Sequence, residues 1–386
     1  MTILSAVAIM LVAANLRPAV VAVAPLVGEI KTATGWGSGV TGLLTTLPVL
    51  VFGLVAPLAP RCAARFGIER TVFGAMLVLV VASAVRLVPT PTALFAGSAL
   101  AGVGIGVCNV VLPSLIKRDF VHHSGLMTGL YSMTLSGGAA AAAALTIPID
   151  HALGRDWRLA LASWGVCAAI ALLVWVPQLR RVHRVRAGGA AATLWRNPIA
   201  WAVTIFMAAQ SFIFYTFTAW LPEFLVARGM SAGSAGAVLA LGQVAGLMMS
   251  LLAPIVAGRF ADQRVITMAA LALTAVGFVG LLTMPSLPTL WTMLVMAGPG
   301  ASISLALLFM VLRSTSTHQT GQVSGMAQSV GYCVAAIGPV AIGALHDLTG
   351  SWTVAMTVLA LVLIPQAVST LWAAKNVTMD ECQKSR

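Results

Sequence analysis

The sequence predicts an all-α integral membrane protein with twelve transmembrane helices arranged as two six-helix pseudo-repeats. Three observations lead there. Of 386 residues, 59% are hydrophobic and only 8% charged, whereas soluble domains carry roughly 25% charged residues. The apolar residues gather into runs of bilayer-spanning length, about 18–25 residues each. Three separate groups of residues then recur in the same order, 194 to 196 positions further on.

Taken in order, the runs are roughly 3–29, 39–60, 71–88, 92–116, 125–149, 158–179, 198–224, 233–257, 265–284, 290–312, 322–345 and 352–374. Gly, Pro, His and charged residues fill the breaks, as turns require. The first run is too long for a signal-peptide core, lacks a basic segment before it and contains Asn15 and Arg17, so it is expected to stay attached. An even number of spans puts both termini on one side. Of the 22 basic residues, 16 lie on that side, while only Lys31, Arg155, Arg158 and Arg228 lie on the other and Arg17 and Arg86 fall within spans. Positively charged loops stay in the cytoplasm, so both termini are expected there.

The basic, small-residue-rich stretch 180–197 reads as a cytoplasmic tether. It divides the chain into an N-terminal six-helix bundle (1–179), a linker (180–197) and a C-terminal six-helix bundle with a cytoplasmic tail (198–386). The tail after Trp372 is polar and is expected to be mobile.

The duplication is specific. Ala59-Pro60, Arg65-Phe66 and Arg70 recur as Ala253-Pro254, Arg259-Phe260 and Arg264. Gly102 and Gly104 recur as Gly298 and Gly300, and His122, Gly125, Thr128 and Gly129 recur as His318, Gly321, Ser324 and Gly325. Two parallel six-span repeats are the organisation of a major facilitator transporter, with the solute site expected near the midplane.

Composition also excludes. None of the four lysines (Lys31, Lys117, Lys375, Lys384) sits in a phosphate-cradling G-x-x-x-x-G-K-[ST] context. The five cysteines have no C-x-x-C spacing, which speaks against a zinc site or a disulfide framework. A net charge of +12 would suit nucleic acid, but the loops account for it. No catalytic residue, metal ligand, cofactor or nucleic-acid partner is therefore assigned.

Arg17 is the residue that a transport function would be built around. A guanidinium in the middle of a membrane helix costs roughly 2.5–3.5 kcal/mol on insertion scales, and Asn15-Leu16-Arg17-Pro18 places one there with no midplane carboxylate to neutralise it. An anionic ligand in a polar cavity would compensate the charge; the alternative is a structural arginine held by carbonyls, one of which Pro18 releases from its helical donor. Other polar or aromatic residues within spans complete the candidate substrate-binding set: Asn15, Thr45, Thr46, Asn109, Tyr131, Gln210, Phe214, Tyr215, Gln243, Gln328 and Tyr332. Each polar one serves equally well as an interhelical hydrogen-bonding residue, and Phe214 offers a ring for stacking. Gly125-x-x-x-Gly129 and Gly321-x-x-x-Gly325 read as helix-packing surfaces. Arg86, near the outer end of its span, is expected to snorkel to the interface. Arg65, Glu69 and Arg70, with Arg259, Asp262 and Arg264 in the second repeat, are candidate gating charges in cytoplasmic loops.

Several stretches resemble the cyanate and 2-nitroimidazole transporter family of the major facilitator superfamily. They are L-R-P at 16–18, T-G-L-L-T-T-L-P at 41–48, N-V-V-L-P-S-L-I-K-R-D-F at 109–120, A-W-L-P-E at 219–223, H-Q-T-G-Q-V-S-G-M-A-Q-S-V-G-Y at 318–332 and L-H-D-L-T-G-S-W at 345–352. The resemblance runs from Asn15 almost to Trp372 and implies a twelve-helix transporter of a bacterial inner membrane for a small anion or a small polar heteroaromatic. One departure is that Ala64, Ile68 and Glu69 replace an acidic and two basic residues common in the superfamily's loop signature.

The expected function is secondary active or facilitative transport of a cyanate-like or 2-nitroimidazole-like solute by alternating access, by a monomer in the bilayer. Protons stay open as a coupling ion. The alternatives are a broader drug or metabolite efflux pump of the same fold and, outside transport, a membrane-embedded receptor or enzyme. The enzyme would need acid, base or nucleophile constellations within spans.

Overall fold

Hydrocarbon offers the backbone no hydrogen bonds, so spanning segments must satisfy their own amides and carbonyls. In the computed structural model, which describes residues 3–36, 38–181, 194–284 and 286–384, every regular element among those residues is helical. The first bundle is built from α1 (Ile3–Asn15), α2 (Pro18–Val21), α3 (Val23–Thr34), α4 (Ser38–Val55), α5 (Ala59–Phe66), α6 (Ile68–Val85), α7 (Pro91–Asp119), α8 (Ser124–Ala152) and α9 (Trp157–Trp175). The rest comprises α10 (Pro198–Ala227), α11 (Ala232–Ala257), α12 (Arg264–Thr283), α13 (Pro288–Leu312), α14 (Thr317–Thr349), α15 (Trp352–Leu361), α16 (Leu363–Ala373) and the short α17 (Met379–Lys384). Among the described residues 11 stretches are long and apolar enough to cross a membrane, and the pair α4 and α5, bent by 55°, brings the number to 12.

Two expectations about boundaries change. The first span is not one helix ending near residue 29: it breaks after Asn15 and again at Ala22, then continues to Thr34. The stretch 65–70 is not a loop. Arg65 lies in the last turn of α5, Glu69 and Arg70 in the first turn of α6, and the turn between is Gly67 alone, at φ 88°, a conformation glycine adopts without a Cβ clash.

Two compact units emerge. One holds α1 to α7, α8 from Leu130 onward and α9; the other holds the first turns of α8, up to Gly129, together with α10 to α17. Those first turns join the second unit through Gly125 and Gly129. A Cβ on Gly129 would stand 2.7 Å from the Leu251 carbonyl of α11, and one on Gly125 would meet the Pro254 carbonyl. Helices in lipid pack through such small residues.

The core of the first unit gathers Leu26, Ile30, Leu44, Leu94, Ala142, Trp157 and Leu161. In the second unit Phe217, Phe224, Phe278, Leu281, Val295, Met296 and Met356 form the corresponding mass, and α13 packs closely on both α11 and α12.

The tail after Trp372 is docked, contrary to expectation. Met379 is fully buried, its amide donates to the Arg313 carbonyl at 2.9 Å, and its own carbonyl accepts from Asn197 Nδ2 at 2.9 Å. Asp380 accepts from Gln319 Nε2 at 2.7 Å and from the Thr315 hydroxyl at 2.5 Å. Residues 182–193 of the linker lie outside the described residues.

Candidate functional site

The break in the first span falls on Arg17. It is the N-cap of α2 at φ −116°, ψ −35°, with Pro18 as the first helical residue. Proline has no N–H, so the Ala14 carbonyl loses its helical donor. Gly138 of α8 lies directly against that carbonyl, too close for any side chain. Leu16 and Pro18 are buried while Arg17 is half-buried. Asn15 is buried and turns back, donating from Nδ2 to the Leu11 carbonyl at 2.8 Å. Its amide thus caps the broken helix end.

Arg86 does not snorkel. It is 1% exposed, donating from Nη1 to the Ala19 carbonyl at 2.7 Å and from Nη2 to the Ser98 hydroxyl at 3.2 Å. Gly97 makes room, since a Cβ there would stand 2.6 Å from Arg86 Cγ. A buried cation needs acceptors, and the segment around the break supplies one.

On α7 and α8 the structure joins two of the candidates: the Tyr131 hydroxyl donates to Asn109 Oδ1 at 3.2 Å, both residues being buried. Ser114 on α7, and Thr128 and Ser132 one turn apart on α8, carry buried hydroxyls with no hydrogen-bond partner among the described residues. Buried polar atoms are normally satisfied, so this part of the bundle has spare hydrogen-bonding capacity. Thr46 is exposed, and the Thr45 side chain lies outside the described residues.

In the second unit Gln210 is buried on α10 and donates to Ser211 Oγ at 2.7 Å. Phe214 and Tyr215 meet edge to face at 5.3 Å. Gln328 and Tyr332, both buried, flank Gly331 on α14, where a Cβ would stand 3.1 Å from Met207 Cγ of α10. Gln328 donates to Ser324 Oγ at 2.8 Å, and Gln243 is half-buried on α11. These contacts leave α10 and α14 with aromatic faces and amides side by side.

The charged set divides. Arg65, Arg70 and Arg259 are exposed. Glu69, only 2% exposed, pairs with Arg118 at 2.7 Å, and its carbonyl accepts from Trp175 Nε1 at 2.9 Å. Asp262 is gripped by Arg264 two residues on, at 2.6 Å, and that hydrogen-bonded guanidinium holds its carboxyl below the usual range.

Sequence reading missed Arg118, Trp175, Gln263 and Arg313. Arg313 is 2% exposed and donates to the Ala373 and Ala374 carbonyls at 3.0 Å each and to Gln263 Oε1; burial pulls it down to about 10, with Asp262 opposing. For Arg313, its place directly after a span was the signal available. Asp150 is in the last turn of α8 and fully buried.

The model of the Major Facilitator Superfamily matches residues 2–339. The chain belongs to the Major Facilitator Superfamily. Within it, the chain is 40% identical over 372 residues to the 2-nitroimidazole transporter of Escherichia coli (strain K12), covering 95% of this chain and 94% of that one. It is 32% identical over 374 residues to the cyanate transport protein of the same organism, covering 94% and 95%. The solved structure of a proton:xylose symporter of the superfamily matches with a TM-score of 0.78 over 98% of each chain at 14% identity, which shows the fold alone. As a superfamily member with these relatives, the chain is a multi-pass membrane transporter.

Proposed function

We propose that this transporter carries a small anion or a small polar heteroaromatic, cyanate-like or 2-nitroimidazole-like, by alternating access, and that Arg17 contacts the solute. The observation that carries the reading is the interruption of the first span at Arg17, which leaves this residue between two helices at half burial. A fixed cation suits a monoanion or the nitro and ring-nitrogen acceptors of a nitroimidazole. Asn109 and Tyr131 add polar groups in the same unit. The two named relatives lend the substrate class.

One chain supplies both helical repeats, so the monomer is the working unit. The membrane is a bacterial inner membrane with both termini cytoplasmic, supported by the 16-to-4 bias of basic residues. Impermeant thiol reagents should then label a variant retaining only Cys382 after the membrane is opened and not before.

The deciding experiment measures cyanate and 2-nitroimidazole binding and flux in proteoliposomes. Arg17→Lys keeps the charge and loses the planar fork, so it should bind weakly; Arg17→Gln should lose about 10–100-fold in affinity for an anion, the worth of a charged hydrogen bond. Wild-type affinity in Arg17→Gln would end the assignment. Loss of accumulation with exchange intact in Glu29→Gln or Glu223→Gln would instead mark an acid as the coupling residue.

A further inference from the structure

An open, nearly all-apolar groove of about 310 Å³ runs along the second unit between the start of α10 and the end of α16. Pro198, Trp201, Ile205, Pro365, Val368 and Trp372 line most of it. The polar atom it contains is already committed, because Ser369 donates its hydroxyl to the Gln366 carbonyl at 2.8 Å. The groove therefore asks for hydrocarbon.

Its mouth is different. Trp201 donates from Nε1 to the Trp195 carbonyl at 2.7 Å and meets the Trp195 ring at 5.7 Å, while Trp372 is 54% exposed at the other wall. Tryptophans clustered this way mark the headgroup level of a bilayer. Lys375 Nζ stands 5.9 Å over the Trp372 ring, and Arg196 follows Trp195; both cations are exposed. The carboxylates of the tail are held in place by its own contacts, Asp380 by Thr315 and Gln319 and Glu381 by Thr378. Two exposed cations thus adjoin the tryptophans of an acyl-sized slot about 10 Å long, the length of two helical turns.

We propose that this groove is a site for an anionic phospholipid, with one acyl chain lying between α10 and α16 and its headgroup phosphate at Arg196 and Lys375. Each basic residue near a charged leaflet strengthens anionic-lipid binding about fivefold. The proposal is independent of the identity of the transported solute.

The test is native mass spectrometry of the detergent-purified chain titrated with dioleoyl-phosphatidylglycerol and, separately, dioleoyl-phosphatidylcholine. Wild type should retain the phosphatidylglycerol preferentially. The double variant Arg196→Gln/Lys375→Gln should lose most of that preference, on the order of 10-fold or more, with an unchanged melting temperature in lipid-free detergent. Val368→Trp, placed on an exposed position of the wall, should fill the groove and weaken both lipids. Equal binding of the two lipids by wild type, or a preference that survives the double variant, would overturn the site. So would an equal loss in Arg180→Gln, since that would trace the preference to general basic surface charge.

Discussion

The Arg86 guanidinium reaches 67 residues back along the chain to the Ala19 carbonyl, 2.7 Å away, and so ties the end of α6 to α2, two residues beyond Arg17. A helix broken at Pro18 cannot brace itself; a buried cation with two acceptors braces it from outside. The residue that holds the break is thus distinct from the residue proposed to meet the solute.

Arg86→Gln should therefore destabilise the protein, leaving the Ala19 carbonyl short of a donor at a cost on the order of 1–3 kcal/mol. Thermal unfolding in detergent measures the loss. Solute affinity should fall as well, because Arg17 would no longer be held in one place; an unchanged melting temperature would show that the break is self-supporting.

The pair Glu69 and Arg118 makes an asymmetric prediction. Arg118 also pairs with Asp119 at 2.6 Å, so it keeps a partner when Glu69 is replaced. Glu69 is the more deeply buried. Arg118→Met should cost on the order of 1–3 kcal/mol, since it takes a charged hydrogen bond from a buried carboxylate, whereas Glu69→Gln should cost less. Equal losses in a double-mutant cycle would contradict this ordering.

Asp262 gives a pH dependence. The hydrogen-bonded Arg264 guanidinium lowers its carboxyl in the folded state. A carboxylate lowered on folding stabilises the fold above its unfolded pKa of about 3.9 and loses that contribution as pH falls through the folded value. Asp262→Asn should thus cost a little stability at pH 7 and nothing once the carboxyl is protonated. Because both partners are more than a third exposed, the effect should shrink in high salt.

The docked tail predicts a stability loss on truncation. Ending the chain at Val377 removes the buried Met379 and the Asp380 contacts to Thr315 and Gln319. Burial of one methionine is worth about 1.5–3 kcal/mol, and differential scanning fluorimetry should register a lower midpoint. A truncated chain as stable as wild type would mean that the tail adds nothing to the bundle.

The sequence by itself determined the helical class, the spans, the duplication and the superfamily, because a hydrocarbon layer imposes a length and an apolar composition that can be read one segment at a time. It also singled out Asn15-Leu16-Arg17-Pro18, since proline and a midplane cation are costly wherever they fall. It misjudged Arg86 and the tail, and it took 65–70 for a loop. Only the tertiary structure decided these, for one physical reason. Whether a charge snorkels, pairs or is buried depends on acceptors brought in from elsewhere: Ala19 lies 67 residues from Arg86, Glu69 lies 49 from Arg118, and Ala373 lies 60 from Arg313. Partitioning into lipid is a property of a segment, whereas satisfying a buried polar group is a property of the packed bundle.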